Sequence, residues 1–303
     1  MSREKILDKL ADSHQERLDK TLEKLELDVV KATNSIPEST IKTRILVELR
    51  PKLKTAIEQN FLVWADSTVR DYDQTASEIL KFFGPLPIAP NFKDLTDVDK
   101  GVISNLKKLS FKGFEDLANE YLDELANAVY QSTLIGRPKE ELIKELRHKI
   151  NGVYVKSNQA DVKKLVAFVK DNKDKPNMKS EVDKAVNKLQ TVYASSVTGQ
   201  SLRRYAGQMI HDSLRQFDGS FVAHKAQEAN ITSFRYDGSN ITDTRQWCRD
   251  LKGQILTKDE IFNRWNNSTW KGKSSSDPFV ARGGYNCRHF WTPYDPSWDK
   301  DLT

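Results

Sequence analysis

Cys248 and Cys287 are the only cysteines in a chain of 303 residues, and His289 follows the second of them by two positions. Residues two apart on a strand point to the same face, so Cys287 and His289 can chelate together while Cys248 closes the set from a short helix. A structural zinc takes four ligands. Asp250, His211 and His224 are the candidates for a fourth, and none of them has a spacing argument. Two thiols 39 positions apart carry less information than a paired Cys-x-x-Cys. Three chemistries stay open. The plainest is a pair of buried, reduced cysteines with no cofactor; the others are a structural zinc on Cys248, Cys287 and His289, or a disulfide formed after release from a reducing cell. A nucleophilic thiol would need a histidine base within hydrogen-bonding reach. On a regular strand His289 lies about 6–7 Å from Cys287, which is too far, so the chain is not expected to be an enzyme.

The elements that must position these residues occupy the last hundred positions. The stretch ITSFRYDG, residues 231–238, alternates apolar and polar residues and ends in an Asp-Gly turn signal, which predicts a strand. Thr242 or Asp243 can cap a short helix carrying Trp247, Cys248 and Leu251, and Gly253 stops it. Gln254 to Leu256 read as a second short strand, and Thr257 caps another helix with Glu260 at the capping-box position. A polar loop runs from Asn266 to Asp277. The chain then turns at Gly283-Gly284 and continues through YNCRHFWTPYD as a final strand.

Upstream the period is helical. Leu7, Leu10, Leu18, Leu22, Leu25 and Val29 follow three/four spacing, predicting one amphipathic helix over residues 3 to about 33. A second pattern runs from Ile41 through Ile45, Leu49, Leu53, Ile57, Phe61 and Trp64, and more weakly on to Leu80; Pro51 within it predicts a kink or break near Arg50. Shorter helices are predicted from Phe114 to Leu134, Lys139 to Ile150, Ala160 to Val169 and Lys179 to Val197, followed by one over residues 201–229. His14 and His148 stand alone on these helices and read as surface residues. The resulting fold class is α+β and predominantly α-helical. Its divisions are a long helical hairpin arm (1–83), a Pro-rich linker (84–92), a helical domain (93–230) and a small α+β module with the Cys/His motif and a short sheet (231–303).

A net charge of +5 is mild for this length and does not by itself indicate a nucleic-acid partner. Its distribution is more telling: 26 Lys and 7 Arg precede position 201, whereas 6 Lys and 9 Arg follow it, together with five of the six tryptophans. Arg and Trp make planar, directional contacts, which suits docking onto a protein or a phosphate backbone. Arg203, Arg204, Arg215, Lys271, Lys273 and Arg282 are the candidates for such a face. Arg245, Arg249 and Arg288 alternate with Asp243, Asp250 and Asp295 and are expected to pair with them inside the fold. No apolar run approaches the roughly 18 residues that cross a bilayer. The start, MSREKILDKLADSH, is charged and helix-patterned, unlike a secretory signal, so synthesis in a cytoplasm is expected.

The segment DTRQWCRDLKGQIL, followed about thirty residues later by GGYNCRHFWTPYD, resembles the C-terminal module of bacteriophage minor head proteins of the Mu F-like and SPP1-like head morphogenesis family. The matching residues are Asp243, Thr244, Arg245, Cys248, Gly253, Asn286, Cys287, Arg288 and His289, and the resemblance extends over residues 200–296. Many members carry a second Cys three residues after the first and a Cys closing the last motif, where this chain has Leu251 and His289. The resemblance implies a structural protein of the phage head, assembled in the host cytoplasm, with the portal protein and major capsid protein as partners and packaged double-stranded DNA as a further one; no membrane is involved. A DNA-binding ejection or packaging factor and a capsid decoration or cement protein are the alternatives it leaves open.

Overall fold

A computed structural model describes residues 3–36, 44–84, 94–134, 138–151, 201–242, 244–273, 277–284 and 287–296, with single positions between 164 and 185. The fold is predominantly helical α+β, with one three-stranded antiparallel sheet near the C-terminus. It divides into two compact units: Met1–Gln15, Asp66–Gly113 and Gln208–Thr303 make the first, Glu16–Ala65 and Phe114–Gly207 the second. The Pro-rich stretch 84–92 lies, Gly84 apart, outside the described residues. So do most of the helices predicted at 160–169 and 179–197.

In the second unit, helix α1 (Arg3–Asn34) buries Leu18, Leu22, Leu25 and Val29, the stripe its periodicity predicts. Helix α2 (Arg44–Ile57) runs antiparallel to it, with Lys52 donating to Ser35 and Asn60 to Asp28 as the numbering rises on one strand of the pair and falls on the other. Of the kink or break predicted near Arg50, a break is excluded: α2 continues through Pro51. Pro51 lies inside α2, and the carbonyl that loses its donor belongs to Val47, a residue 73% exposed. An irregularity comes later, as a π turn over Glu58–Leu62 in which the Asn60 side-chain Nδ2 donates to the Ala56 carbonyl. This turn packs Phe61 and Trp64 against Phe114.

Helices α3 (Val63–Arg70) and α4 (Tyr72–Phe83) follow. Helix α5 spans Asp97–Leu134, beginning seventeen residues before the predicted start at Phe114. Thr96 and Asp99 cap it reciprocally: the Asp99 amide donates to Thr96 Oγ1 and the Thr96 amide to Asp99 Oδ2. Gly101 and Gly113 are carried inside the helix rather than ending it. Helix α6 spans Lys139–Asn151 in the second unit.

Helix α7 (Leu202–Glu228) lines the core of the first unit from Gln208 onward, burying Ile210, Leu214, Phe217 and Phe221. Tyr72 of α4 packs on Phe217 with ring centroids 4.5 Å apart. His14 is 1% exposed, not a surface residue: its heptad-like position falls on the buried stripe of α1, where it faces Asp71. Arg3 is equally buried. It forms a bidentate pair with Asp218 at 2.7 and 2.6 Å, donates to the Trp291 carbonyl, and lies over the Phe290 ring.

The sheet has the order β2-β1-β3, where β1 is Ser233–Asp237, β2 Ile255–Thr257 and β3 Phe290–Tyr294. Phe234 and Tyr236 of β1 point inward while Arg235 faces out. Between the strands come α8 (Gln246–Leu251), α9 (Lys258–Asn266) and α10 (Pro278–Ala281). Thr257 and Glu260 form the predicted capping box on α9. Gly219 lets α10 approach α7 directly, since a Cβ there would stand 2.2 Å from the Phe279 carbonyl oxygen. The final strand is shorter than predicted: ladder pairing begins at Phe290, opposite Asp237, and leaves Cys287 to His289 outside the strand.

Candidate functional site

Three short pieces of chain converge behind the sheet. Strand β1 directs Tyr236 inward, α8 presents Cys248, and the segment before β3 brings in Cys287 and His289; all four are at most 3% exposed. Cys248 Sγ and Cys287 Sγ are 3.7 Å apart, and Tyr236 Oη lies 3.4 and 3.7 Å from them. Both thiols are unbridged. His289 Nδ1 is 3.8 Å from Cys287 Sγ, closer than a strand would allow, because the pair lies outside the ladder and the backbone can turn both side chains inward. Gly238, with φ +133°, permits the turn: a Cβ on it would come within 2.7 Å of His289 Cα.

Gly283 closes the cluster. A Cβ there would stand 2.2 Å from Cys248 Sγ and 2.9 Å from Cys287 Sγ. Its carbonyl accepts from Trp270 Nε1, and Trp270 stacks on Trp247 at 4.4 Å with Trp265 edge-on to both, so the tryptophans brace this wall.

His289 Nε2 donates to Asn240 Oδ1 at 3.1 Å, which fixes the tautomer and turns the Nδ1 lone pair toward the thiols. The hydrogen bond from Cys248 holds the Cys287 thiol well below its ordinary range against the opposing effect of burial, with help from the Arg282 guanidinium. The same hydrogen bond, reinforced by burial, pushes Cys248 up, and burial pushes Tyr236 up. The two thiols share their protons as one coupled pair, with Tyr236 remaining a donor beside them.

The donor set fits a thiophilic ion. Tetrahedral zinc with Zn–S of about 2.3 Å and Zn–N of about 2.0–2.1 Å separates two sulfurs by ~3.8 Å and sulfur from nitrogen by ~3.5 Å. The observed edges are 3.7 and 3.8 Å, and the three ligand atoms all lie within 4.8 Å of one another. A recess of about 20 Å³ beside them, bordered by Ile241, Thr244, Arg245 and Arg288, has room for one ion or water. The same geometry serves a reduced thiol–imidazole cluster with no ion.

Asp250 is not among the convergent ligands; it is exposed and accepts from Gln246. His224 belongs to a different cluster, with Asp99 and Glu228, and His211 stands beside Arg215 and Asp8. Of the other motif residues, Asp243 and Asn286 lie outside the described residues. Thr244 Oγ1 accepts from the Ile241 amide, and Gly253 takes a φ of +82° at the end of α8. The arginines also bond backbone carbonyls. Arg249 donates to the Thr244 and Thr242 carbonyls, Arg245 to that of Lys271, while the exposed Arg288 offers its carbonyl to Arg215. The Arg249 bonds close the turn before α8, whereas those of Arg245 and Arg215 tie together segments distant in sequence.

The six basic candidates do not form one exposed face. Arg215 and Arg282 are 3% and 1% exposed and pair with Asp8 and Asp212. Arg203 pairs with Asp19, and Lys273 donates to the Trp265 and Ser268 carbonyls above two indole rings. Arg204 and Lys271 are exposed. Sequence reasoning missed Tyr236, Asn240 and Gly283. The alternation of β1 marks Tyr236 as inward-facing, but nothing local signals that Gly283 is a wall. No helix among the described residues is long and apolar enough to cross a membrane. Comparison with protein-family models, curated proteins and solved structures finds no match for this chain.

Proposed function

We propose that this chain is a structural minor head protein of a tailed bacteriophage, associated with the portal or the capsid interior and acting in head assembly and DNA packaging or delivery. The observation that carries the reading is the convergence of Cys248, Cys287 and His289 on one buried point, because these are the residues through which the tail resembles the head morphogenesis family. Spacing alone leaves them 39 residues apart. In this reading the cluster staples a small module whose three short strands and short helices bury little surface of their own. A zinc ion on Cys248, Cys287 and His289, when bound, supplies structural cross-linking; the chain's own part is to orient His289 through Asn240 and to keep the thiols dry.

The portal and the major capsid protein fit as partners better than DNA does, since Arg215 and Arg282, two of the six basic candidates, are committed to internal ion pairs. The test is the position of the chain in intact particles, by electron microscopy of particles carrying a labelled copy. A ring at one vertex supports a portal-associated protein. An even distribution over the shell replaces it with a decoration role, and absence from purified heads overturns the reading. Deleting residues 231–303 separates assembly from delivery: loss of heads indicates the first, uninfectious but complete heads the second.

A further inference from the structure

A second cluster, in the first unit and apart from the thiols, joins the start of α5 to the end of α7. Asp99 is fully buried, and His224 and Glu228, four residues apart on α7, are each 22% exposed. Lys225 lies between the carboxylates and bonds one oxygen of each, Asp99 Oδ2 at 2.8 Å and Glu228 Oε2 at 2.9 Å, with the Asp94 carbonyl as its third acceptor. Asp99 Oδ2 also accepts from the Thr96 amide and hydroxyl. The remaining oxygens, Asp99 Oδ1 and Glu228 Oε1, both face His224 Nε2, at 3.1 and 3.5 Å.

Those two approaches are close, yet neither is a hydrogen bond: both Asp99 Oδ1 and His224 Nε2 are buried without a hydrogen-bond partner among the described residues. An imidazole N–H bond requires the acceptor near the ring axis. Two ligand atoms that share one ion at about 2.1 Å are instead roughly 3.0–3.4 Å apart, and each lies about 35–45° off the other's lone-pair axis. Oxygens at 3.1 and 3.5 Å from an Nε2 that makes no hydrogen bond therefore match the edge lengths of a coordination polyhedron.

We infer that Asp99 Oδ1, His224 Nε2 and Glu228 Oε1 form a second cation site that takes a divalent first-row ion of the Zn²⁺ or Mn²⁺ class. One imidazole and two carboxylates suit such ions and lack the thiolates that would select a softer one. Lys225 is the positioning residue: by holding the far oxygens it aims the near ones at a common point, as outer hydrogen bonds do around metal ligands. His224 also borders a cleft of about 460 Å³ lined by Phe234, Phe279, Lys258 and Asp277.

The test uses Co²⁺ as the probe in the full chain carrying Cys248→Ser and Cys287→Ser, with bound metal measured by equilibrium dialysis and visible absorption. The expected result is one Co²⁺ per chain, with no sulfur-to-cobalt charge-transfer band, and loss of that equivalent in His224→Ala and in Glu228→Gln. Both substitutions fall at part-exposed side chains, and thermal melts in EDTA establish that the variants fold. If the serine background does not fold, the same difference of one equivalent is read between the unsubstituted chain and His224→Ala. Equal Co²⁺ binding in parent and variants overturns the inference. It leaves the cluster as a closed set in which Lys225 alone bridges the two carboxylates.

Discussion

Gly283→Ala is the most direct probe of the thiol site, because its effect is steric alone. Gly283 is not among the glycines with positive φ, so alanine meets no backbone strain there. The added methyl would stand 2.2 Å from Cys248 Sγ, 2.9 Å from Cys287 Sγ and 3.3 Å from Tyr236 Oη. A carbon–sulfur contact relaxes near 3.6–3.8 Å, roughly the van der Waals separation, so Cys248 Sγ must retreat by about 1.4 Å into packed surroundings. Overpacking of this kind costs about 1–3 kcal/mol. Cys248→Ala alone removes the buried sulfur and should cost about 1–2 kcal/mol, the low end of large-to-small changes. Together the two changes are complementary, since the new methyl occupies the space the sulfur leaves. The double variant should therefore be more stable than the sum of the singles predicts, with a coupling of about 1–2 kcal/mol. Urea unfolding followed by the fluorescence of Trp247, Trp265 and Trp270 measures all four corners of the cycle. Additive costs, or a Gly283→Ala chain as stable as its parent, would refute the placement of Cys248 Sγ against this glycine.

Three further outcomes follow from the packing and electrostatics of the first unit. Gly219→Ala gains about 1 kcal/mol of helix propensity but drives a Cβ to 2.2 Å from the Phe279 carbonyl oxygen; a net loss of about 1–2 kcal/mol is expected by urea unfolding, and a stabilised variant would show that α10 does not touch α7 there. Arg3→Ala strands Asp218, which like Arg3 is 1% exposed, and should cost about 3–5 kcal/mol; pairing Arg3→Met with Asp218→Leu should recover most of it. His211 is held below its ordinary pKa by burial first and by the Arg215 guanidinium second. The unfolded chain therefore binds its proton more readily, and stability falls as pH drops from the ordinary histidine value, about 6.5, through the lower folded one. His211→Gln should flatten the melting-temperature profile over that window, and an unchanged slope would assign the dependence to other groups.

How much of this was legible in the sequence depends on how local the cause is. The stripe of α1, the capping box at Thr257 and Glu260, and the inward face of β1 each follow from residues within one or two turns or pleats, and the structure has them where the pattern predicts. Helix α2 runs through Pro51 and α5 starts well before Phe114, because a breaker's cost depends on what surrounds it. Val47, whose carbonyl loses its donor, is exposed, and a reciprocal cap at Thr96 and Asp99 starts a helix whose later packing outweighs Gly101 and Gly113. The basic residues misled for a related reason: periodicity assigns Arg215 a helix but not the Asp8 that draws it inside.

The thiol cluster shows where local reading ends. Residue types identified Cys248, Cys287 and His289, yet a strand period put the last two too far apart, because the register of β3 was unknown. Pairing that begins at Phe290 opposite Asp237 frees the three preceding residues from the pleat, and only then can Nδ1 approach Sγ. The register is in turn held by residues outside the module: Arg3 donates to the Trp291 carbonyl of β3 and lies over Phe290, while its other nitrogens grip Asp218 on α7. The geometry of the candidate site therefore depends on an arginine 284 positions before Cys287. Arg3→Ala should then loosen the Cys287–His289 contact as well as lower stability, which a faster reaction of Cys287 with a thiol reagent under native conditions would register. Unchanged thiol reactivity in an Arg3→Ala chain that still folds would mean that β3 keeps its register without Arg3, and that the module positions its own site.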